Sequence, residues 1–265
     1  MRIAVGQMEP KICEMEENLA RVRHILEEAD RDGVSVLVLP ELCNSGYVFQ
    51  TIDEAKDSAE WIPDGAMSKL LQEWTKKDRL VVAGICEQSE EGLYNSAAVF
   101  RNGDYVLTYR KVHLFLDEID WFSSGKEEPP VLEYHGVQFG IMICFDWIFP
   151  EMTRVLALNG AQVILHPANL VLPYCQDAMV TRSIENRVFT ATANRIGTER
   201  GINFSGLSQI TDFKGNRLIQ MDGESVGVAS VEIDPELAKD KSITKRNDIF
   251  KDRQPSIYKR ITQDD

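Results

Sequence analysis

At 265 residues the chain is long enough to bury one continuous α/β core, and no second domain is required. Hydrophobic residues at 43% and charged residues at 27% match ordinary globular proteins and exclude a disordered or fibrous chain. A formal net charge of -13 and a pI of about 4.9 repel phosphate backbones and anionic membrane surfaces, so nucleic acid is not an expected partner.

The opening residues enter a strand-like run with no apolar h-region, and no apolar stretch is long enough to span a bilayer. The expectation is a cytoplasmic protein with no membrane partner. The five cysteines, Cys13, Cys43, Cys86, Cys144 and Cys175, are odd in number and scattered, without a C-x-x-C pair or a histidine at metal-ligand spacing. Neither a disulfide framework nor a structural metal site is supported.

Ile3 to Gly6 predicts a short strand, and Leu19, Val22, Ile25, Leu26 and Ala29 fall at helical spacing within a charged helix from Glu14 to Arg31. Val34 to Pro40 is an almost unbroken β-branched and leucine run, as a strand buried on both faces requires. Glu41 follows on the loop at its C-terminal end, where α/β enzymes often meet their ligands. A helix is predicted over Gly65–Lys77, then strands over Leu80–Ile85, Tyr94–Phe100 and Tyr105–Tyr109, the last two joined by the turn Arg101-Asn102-Gly103-Asp104.

Beyond a loop carrying Gly125, Pro129 and Pro130, Phe139 to Cys144 reads as another buried strand, leading through Pro150 into a helix over Glu151–Leu158. Further strands are predicted at Val163–His166, Phe189–Ala193, Leu207–Thr211 and Val226–Ile233, with helices at Tyr174–Arg187 and Pro235–Lys239. Parallel strand-helix units joined to antiparallel hairpins give the expected fold class: α/β, two mixed sheets packed together between helices in a four-layer α-β-β-α sandwich. Residues 1–265 read as one domain, with 241–265 a C-terminal tail that is either solvated or crosses to a partner subunit.

The sequence has no G-x-S-x-G elbow, H-E-x-x-H, Walker A loop or G-x-G-x-x-G, and its four histidines have no partner at a recognisable spacing. What remains is a carboxylate, a lysine and a cysteine, each just beyond or at the end of an apolar strand: Glu41, Lys111 and Cys144. Taken singly, each has a plain structural explanation, as a helix cap, a surface charge and a packed thiol. Their contexts together carry more: Leu39-Pro40-Glu41-Leu42, then Tyr109-Arg110-Lys111-Val112-His113-Leu114-Phe115, then Cys144-Phe145-Asp146-Trp147 through Phe149-Pro150-Glu151.

Attack by a cysteine on an electrophilic carbon requires a thiolate, and a free thiol with a pKa of about 8.5 is mostly protonated at neutral pH. Glu41 can take that proton if held within hydrogen-bond reach. Charge developing on the substrate oxygen can be met by the Lys111 ammonium and the backbone N–H of Phe145. Tyr47, Trp121, Trp147 and Asn169, on loops flanking these positions, are candidate pocket walls.

These ordered contexts, with Gln7, Asn44 to Tyr47, Tyr94-Asn95-Ser96, the Asn169 region and Glu185-Asn186-Arg187, resemble the nitrilase-like carbon–nitrogen hydrolase superfamily over most of the chain. The resemblance implies a thioester on Cys144, released as a carboxylic acid after ammonia departs, and a second glutamate, Glu118, positioning substrate and the Lys111–Cys144 geometry. The Cys-Phe-Asp order resembles the amidase-like branches rather than the Cys-Trp-Glu of many nitrilases, which implies a small aliphatic amide. A nitrile or an N-carbamoyl compound stays open as substrate, as does acyl transfer to an amine. A catalytically silent scaffold is disfavoured by the intact trio. No cofactor is implied, and a homodimer or higher homo-oligomer is implied by resemblance alone.

Overall fold

The computed structural model describes residues 1–263; Asp264 and Asp265, the end of the expected tail, lie outside the described residues. The first half contributes β1 (Arg2–Gln7), α1 (Met15–Arg31), β2 (Val36–Val38), α2 (Ile52–Asp57), β3 (Glu60–Trp61), α3 (Ala66–Thr75), β4 (Leu80–Ser89), β5 (Gly92–Arg101), β6 (Asp104–Arg110) and the one-turn α4 (Glu118–Trp121). The second half contributes β7 (Val131–Tyr134), β8 (Val137–Ile141), α5 (Pro150–Leu158), β9 (Val163–Ala168), α6 (Cys175–Asn186), β10 (Phe189–Asn194), β11 (Thr198–Glu199), β12 (Ile202–Asn203), β13 (Gln209–Thr211), β14 (Arg217–Gln220) and β15 (Gly227–Glu232).

One sheet runs β15-β1-β2-β4-β5-β6, with β3 beside β4; the other runs β14-β13-β10-β9-β8-β7. Both are mixed: β1, β2 and β4 are parallel at the centre of the first, β8, β9 and β10 at the centre of the second, and antiparallel strands complete each edge. Their inner faces meet where β1, β2 and β4 lie against β9 and β10. Strand alternation decides which residue goes where. Ile3, Val5, Val36, Val38, Leu80 and Val82 enter the core between the sheets, whereas Ala4, Leu37, Val81 and Ala83 face Val22, Ile25 and Leu26 of α1 and Met67 and Leu71 of α3. With α5 and α6 against the second sheet, the layers are the α-β-β-α sandwich expected from the sequence.

Three local departures from the sequence expectations have simple causes. The β2 ladder is shorter than the apolar run that encodes it: Pro40 has no N–H to donate, its carbonyl takes a last bond from the Gly84 N–H, and Glu41 follows at the strand's end. The helix expected at Pro235–Lys239 is a single 3-10 turn, Pro235–Ala238, with Asp234 accepting from the Glu236 N–H. The tail doubles back: Lys241 donates to the carbonyls of Asn186 and Arg187 at the end of α6, and the Phe250 ring lies beneath the cations of Arg154 and Lys241.

Gln7, fully buried at the end of β1, ties the two sheets together. Its amide donates to the carbonyls of Asp222 (2.8 Å) and Ser225 (2.9 Å) and accepts from the N–H (3.0 Å) and hydroxyl (2.8 Å) of Ser208, just before β13. Gln7→Leu would leave buried polar groups unpaired, each costing about 1–3 kcal/mol. A thermal melt of this variant should fall by about 2–4 °C for each kcal/mol lost; an unchanged melting temperature would show that water replaces the amide.

Candidate active site

Four turns place the candidate residues together: those after β2, β6, β8 and β9, the strand ends where an α/β sheet opens. Glu41 is fully buried, and the β4 strand approaches its backbone so closely that a Cβ on Gly84 would lie 2.2 Å from the Glu41 Cα. Lys111 is held between its neighbours by its N–H to the Asn95 carbonyl (2.8 Å) and its carbonyl to the Gly125 N–H (2.8 Å). Here too the spacing demands glycine, since a Cβ on Gly125 would meet the Arg110 carbonyl oxygen at 2.0 Å.

The Lys111 side chain has no solvent exposure and spends its ammonium on two carboxylates: Glu41 Oε1 at 2.7 Å, and Glu118 Oε1 and Oε2 at 2.7 and 2.9 Å. Burial opposes that charge, but Glu118 and Glu41 outweigh it and hold the ammonium above its ordinary range. Glu118 opens α4, and its Oε1 also accepts the Tyr47 hydroxyl at 2.7 Å. Burial pushes its carboxyl up to about 7 against the pull of Lys111, with Glu41 adding repulsion.

Glu41 is asymmetric in a way that matters chemically. Its Oε1 accepts from both Lys111 and the Asn95 Nδ2 (2.7 Å), while Oε2, equally buried, has no partner. Asn95 is the one amide in an otherwise apolar stretch of β5, and its Oδ1 is likewise unpartnered.

Cys144 begins a 3-10 turn, Cys144–Ile148, with φ of 38°, a left-handed conformation that costs a non-glycine residue roughly 1–3 kcal/mol. Three anchors hold it there. Asp146, fully buried, accepts from the Ile143 N–H (2.9 Å) and the Tyr109 hydroxyl (2.9 Å) and pairs with His113 Nδ1 (2.7 Å). His113 stacks on Phe149 at 3.7 Å. Beneath the turn, His166 Nε2 meets the Cys144 carbonyl at 2.9 Å and Nδ1 meets the Thr192 hydroxyl at 3.0 Å; burial pushes the His166 pKa down to about 4, so the ring is neutral and Nε2 donates.

The Cys144 Sγ lies 3.7 Å from the Asn169 carbonyl. Burial raises its pKa well above the ordinary thiol range, Glu41 raises it further, Lys111 opposes, and Glu118 adds to the rise. All three charged residues therefore act on the sulfur. Before it is a small cavity of about 10 Å3, bordered by Phe115, Phe145, Trp147, Asn169 and the Leu170–Leu172 segment. Of the sequence-predicted pocket residues, Phe145, Trp147 and Asn169 border this space. Tyr47 instead supports Glu118, and Trp121 packs beside Tyr47, Phe49 and Phe122 in a neighbouring apolar cluster. A wider hollow of about 1050 Å3 lies along Glu87, Tyr94 and Arg110 and contains none of the trio. Among the described residues no group of His, Cys, Asp or Glu is placed to hold a metal ion, and no helix is long and apolar enough to cross a membrane.

Asn95, Asp146 and His166 have no assigned role in the sequence reading. Each is polar within an apolar run, and that mismatch was the available signal, since a buried polar side chain requires a partner.

The carbon-nitrogen hydrolase family model matches residues 2–241. The chain is 42% identical to a protein named nitrilase from Pyrococcus abyssi over 261 residues, 97% of this chain and 99% of that one. It is 30% identical to the 2-oxoglutaramate amidase of Bacillus subtilis, over 91% of this chain and 93% of that one. Among solved structures, an amidase from Nesterenkonia sp. superposes with a TM-score of 0.82 at 25% identity, covering 98% of this chain and 96% of that one. A variant of that amidase, with the same TM-score, identity and coverage, carries the acetamide moiety of fluoroacetamide on its active-site cysteine.

Gly84→Ala should displace Glu41 and slow alkylation of Cys144 by iodoacetamide, read by peptide mass spectrometry. In the unaltered protein Cys144 should react ahead of Cys13, the more exposed thiol. Equal rates at every thiol, or no effect of the alanine, would show that Glu41 does not activate the sulfur.

Proposed function

The chain belongs to the carbon-nitrogen hydrolase family, and on that premise we propose that it hydrolyses a small aliphatic amide through a thioester on Cys144, with Glu41 as the proton carrier and Lys111 as the electrophilic partner. The observation carrying this reading is the unpartnered Glu41 Oε2, a buried acceptor held open while Oε1 is occupied by Lys111 and Asn95. Such an oxygen costs free energy in the resting fold, and a role as acceptor of the thiol proton accounts for its being kept.

The Cys144 thiol gives its proton to Glu41 as Sγ attacks the carbonyl carbon. The carbonyl electron pair moves to oxygen, where the Lys111 ammonium and the Phe145 N–H stabilise it. Phe145 is the second residue of the turn, where a helix start leaves N–H groups without intrahelical acceptors. One such donor is worth about 3–4 kcal/mol in the transition state. Collapse breaks the carbon–nitrogen bond, and the nitrogen leaves as ammonia with the proton held by Glu41. Water then attacks the thioester, passing a proton to Glu41, which returns it to sulfur as the acid departs. Amide and water become acid and ammonia.

The preference for a small, uncharged acyl group rests on the cavity. Its wall is aromatic and aliphatic apart from Asn169, with no charged side chain to pair with the ion of a charged carbamoyl substrate. The relatives named as amidases and the fluoroacetamide adduct of the structural neighbour agree with an amide. A second reading, a nitrile substrate, is favoured by the Pyrococcus abyssi relative's name and uses the same thiol, base and cation.

Ammonia release from a panel of short aliphatic amides and nitriles should show amide turnover, with butyramide accepted and Cys144→Ala inactive; turnover of nitriles alone would overturn the amide reading. Glu118 supplies a pH test. Below about 7 it binds a proton, leaving Lys111 to Glu41 alone, so the rate should fall toward acid, and Glu118→Gln should be slow and lack that limb. Stability runs the other way. A carboxyl whose folded pKa is raised contributes stability below its ordinary range that is lost as pH rises through about 7, so Glu118→Gln should flatten the decline in melting temperature over that interval. An acid limb retained in the variant would remove Glu118 from the set.

A further inference from the structure

Tyr47 reaches Glu118 from the loop between β2 and α2, which Cys43 and Asn44 bond to β4 at its start; the Tyr47 backbone further along is held by something other than that strand. The holder comes from the other half of the chain. Glu199, on β11 and 5% exposed, accepts the backbone N–H of Tyr47 (2.8 Å) and of Val48 (2.7 Å) on one carboxylate oxygen. Its other oxygen takes Arg195 Nη1 at 3.0 Å. Arg195, 1% exposed and just past the end of β10, donates Nη2 to the Pro10 carbonyl (2.9 Å) and lies 4.0 Å above the Phe204 ring. Phe204 in turn meets the Tyr47 ring edge-on at 5.9 Å. The fit is close at Gly46, where a Cβ would lie 2.9 Å from the Glu199 carboxylate.

We propose that Glu199 is a positioning residue for the reaction: clamped by Arg195, it fixes the Tyr47 loop, so that the Tyr47 hydroxyl holds Glu118 in place beneath Lys111. The proposal rests on the reading of Glu118 and Lys111 given above. A buried ion pair is poor value as a stabilising device, because desolvation offsets most of its attraction and apolar replacements are often neutral. This pair instead spends its oxygens on the two N–H groups flanking the Tyr47 side chain, which links the end of the second sheet to the floor of the site. Tyr47 also tunes Glu118, since the hydroxyl it donates favours the ionised carboxylate.

The consequence is a specific pattern of effects. When the clamp is released, Glu118 loses a donor that favours its charge, so the acid limb of activity should move to higher pH as well as the rate falling. A residue that merely supports the fold would lower the melting temperature and leave the limb where it is.

The test uses Glu199→Gln, Tyr47→Phe, the double variant and Glu118→Gln, each followed from pH 5 to 9 by butyramide turnover and by the rate of Cys144 alkylation with iodoacetamide. Arg195→Met with Glu199→Leu, which removes both charges together, serves if Glu199→Gln does not fold. Glu199→Gln and Tyr47→Phe should each lose roughly 10- to 100-fold in rate and shift the limb to higher pH, and the double variant should be no worse than Tyr47→Phe alone. Additive losses with the limb unmoved would overturn the clamp, leaving the Glu118 reading intact if Glu118→Gln has lost the limb. Glu118→Gln with an unaltered profile would overturn both, and the two failures are thereby distinct.

Discussion

A lysine ammonium without solvent exposure is the most demanding object in this fold. Moving such a charge out of water costs several kcal/mol after relaxation, and removing one partner of a buried pair costs about 3–5 kcal/mol. Lys111 therefore stays charged only because Glu41, from the end of β2, and Glu118, from α4, both touch it. Much of the local architecture follows from bringing those two carboxylates to one point. Pro40 ends the β2 ladder early, Gly84 lets the Glu41 backbone lie against β4, and Gly125 lets the Lys111 segment lie against the loop beyond α4.

The same arrangement sets the chemistry. Glu118 shares its cation with a second carboxylate in a dry site, and burial pushes it up to about 7. Asn95 breaks the symmetry of Glu41 by occupying the oxygen that Lys111 also takes, so one oxygen stays free. Cys144 is presented by a strained turn that Asp146 and the neutral His166 hold from either side. Glu41, Lys111 and Cys144 come from three separate strand ends, so their geometry depends on the two sheets keeping register, and the buried Gln7 and the Arg195–Glu199 pair each bond from one half of the chain to the other.

Most of the layer structure was legible in the sequence, because continuous apolar runs and the amphipathic α1 declare themselves locally. The positions of Glu41, Lys111 and Cys144 at strand ends were legible for the same reason, as was the amidase-like Cys-Phe-Asp order. What stayed hidden is what depends on partners distant in the chain. Glu199 meets Tyr47 across 152 residues, and no spacing encodes that contact. Asp146 adjoins the cysteine, yet its partners Tyr109 and His113 arrive from β6 and the loop beyond it. The short β3, β7, β11, β12 and β14 were missed because two to four residues carry too little pattern to separate from loop. Trp121 is near the cavity in sequence, but its ring packs in the cluster next door.

A covalent bond to one sulfur is the claim on which the rest converges. Mixing the enzyme with butyramide, quenching in acid within a turnover and weighing the peptides tests it most directly. A thioester mechanism predicts a butyryl adduct confined to the Cys144 peptide, appearing before ammonia reaches its steady rate and absent from Cys144→Ala. Turnover that continues in Cys144→Ala, or an adduct on any other residue, would contradict it.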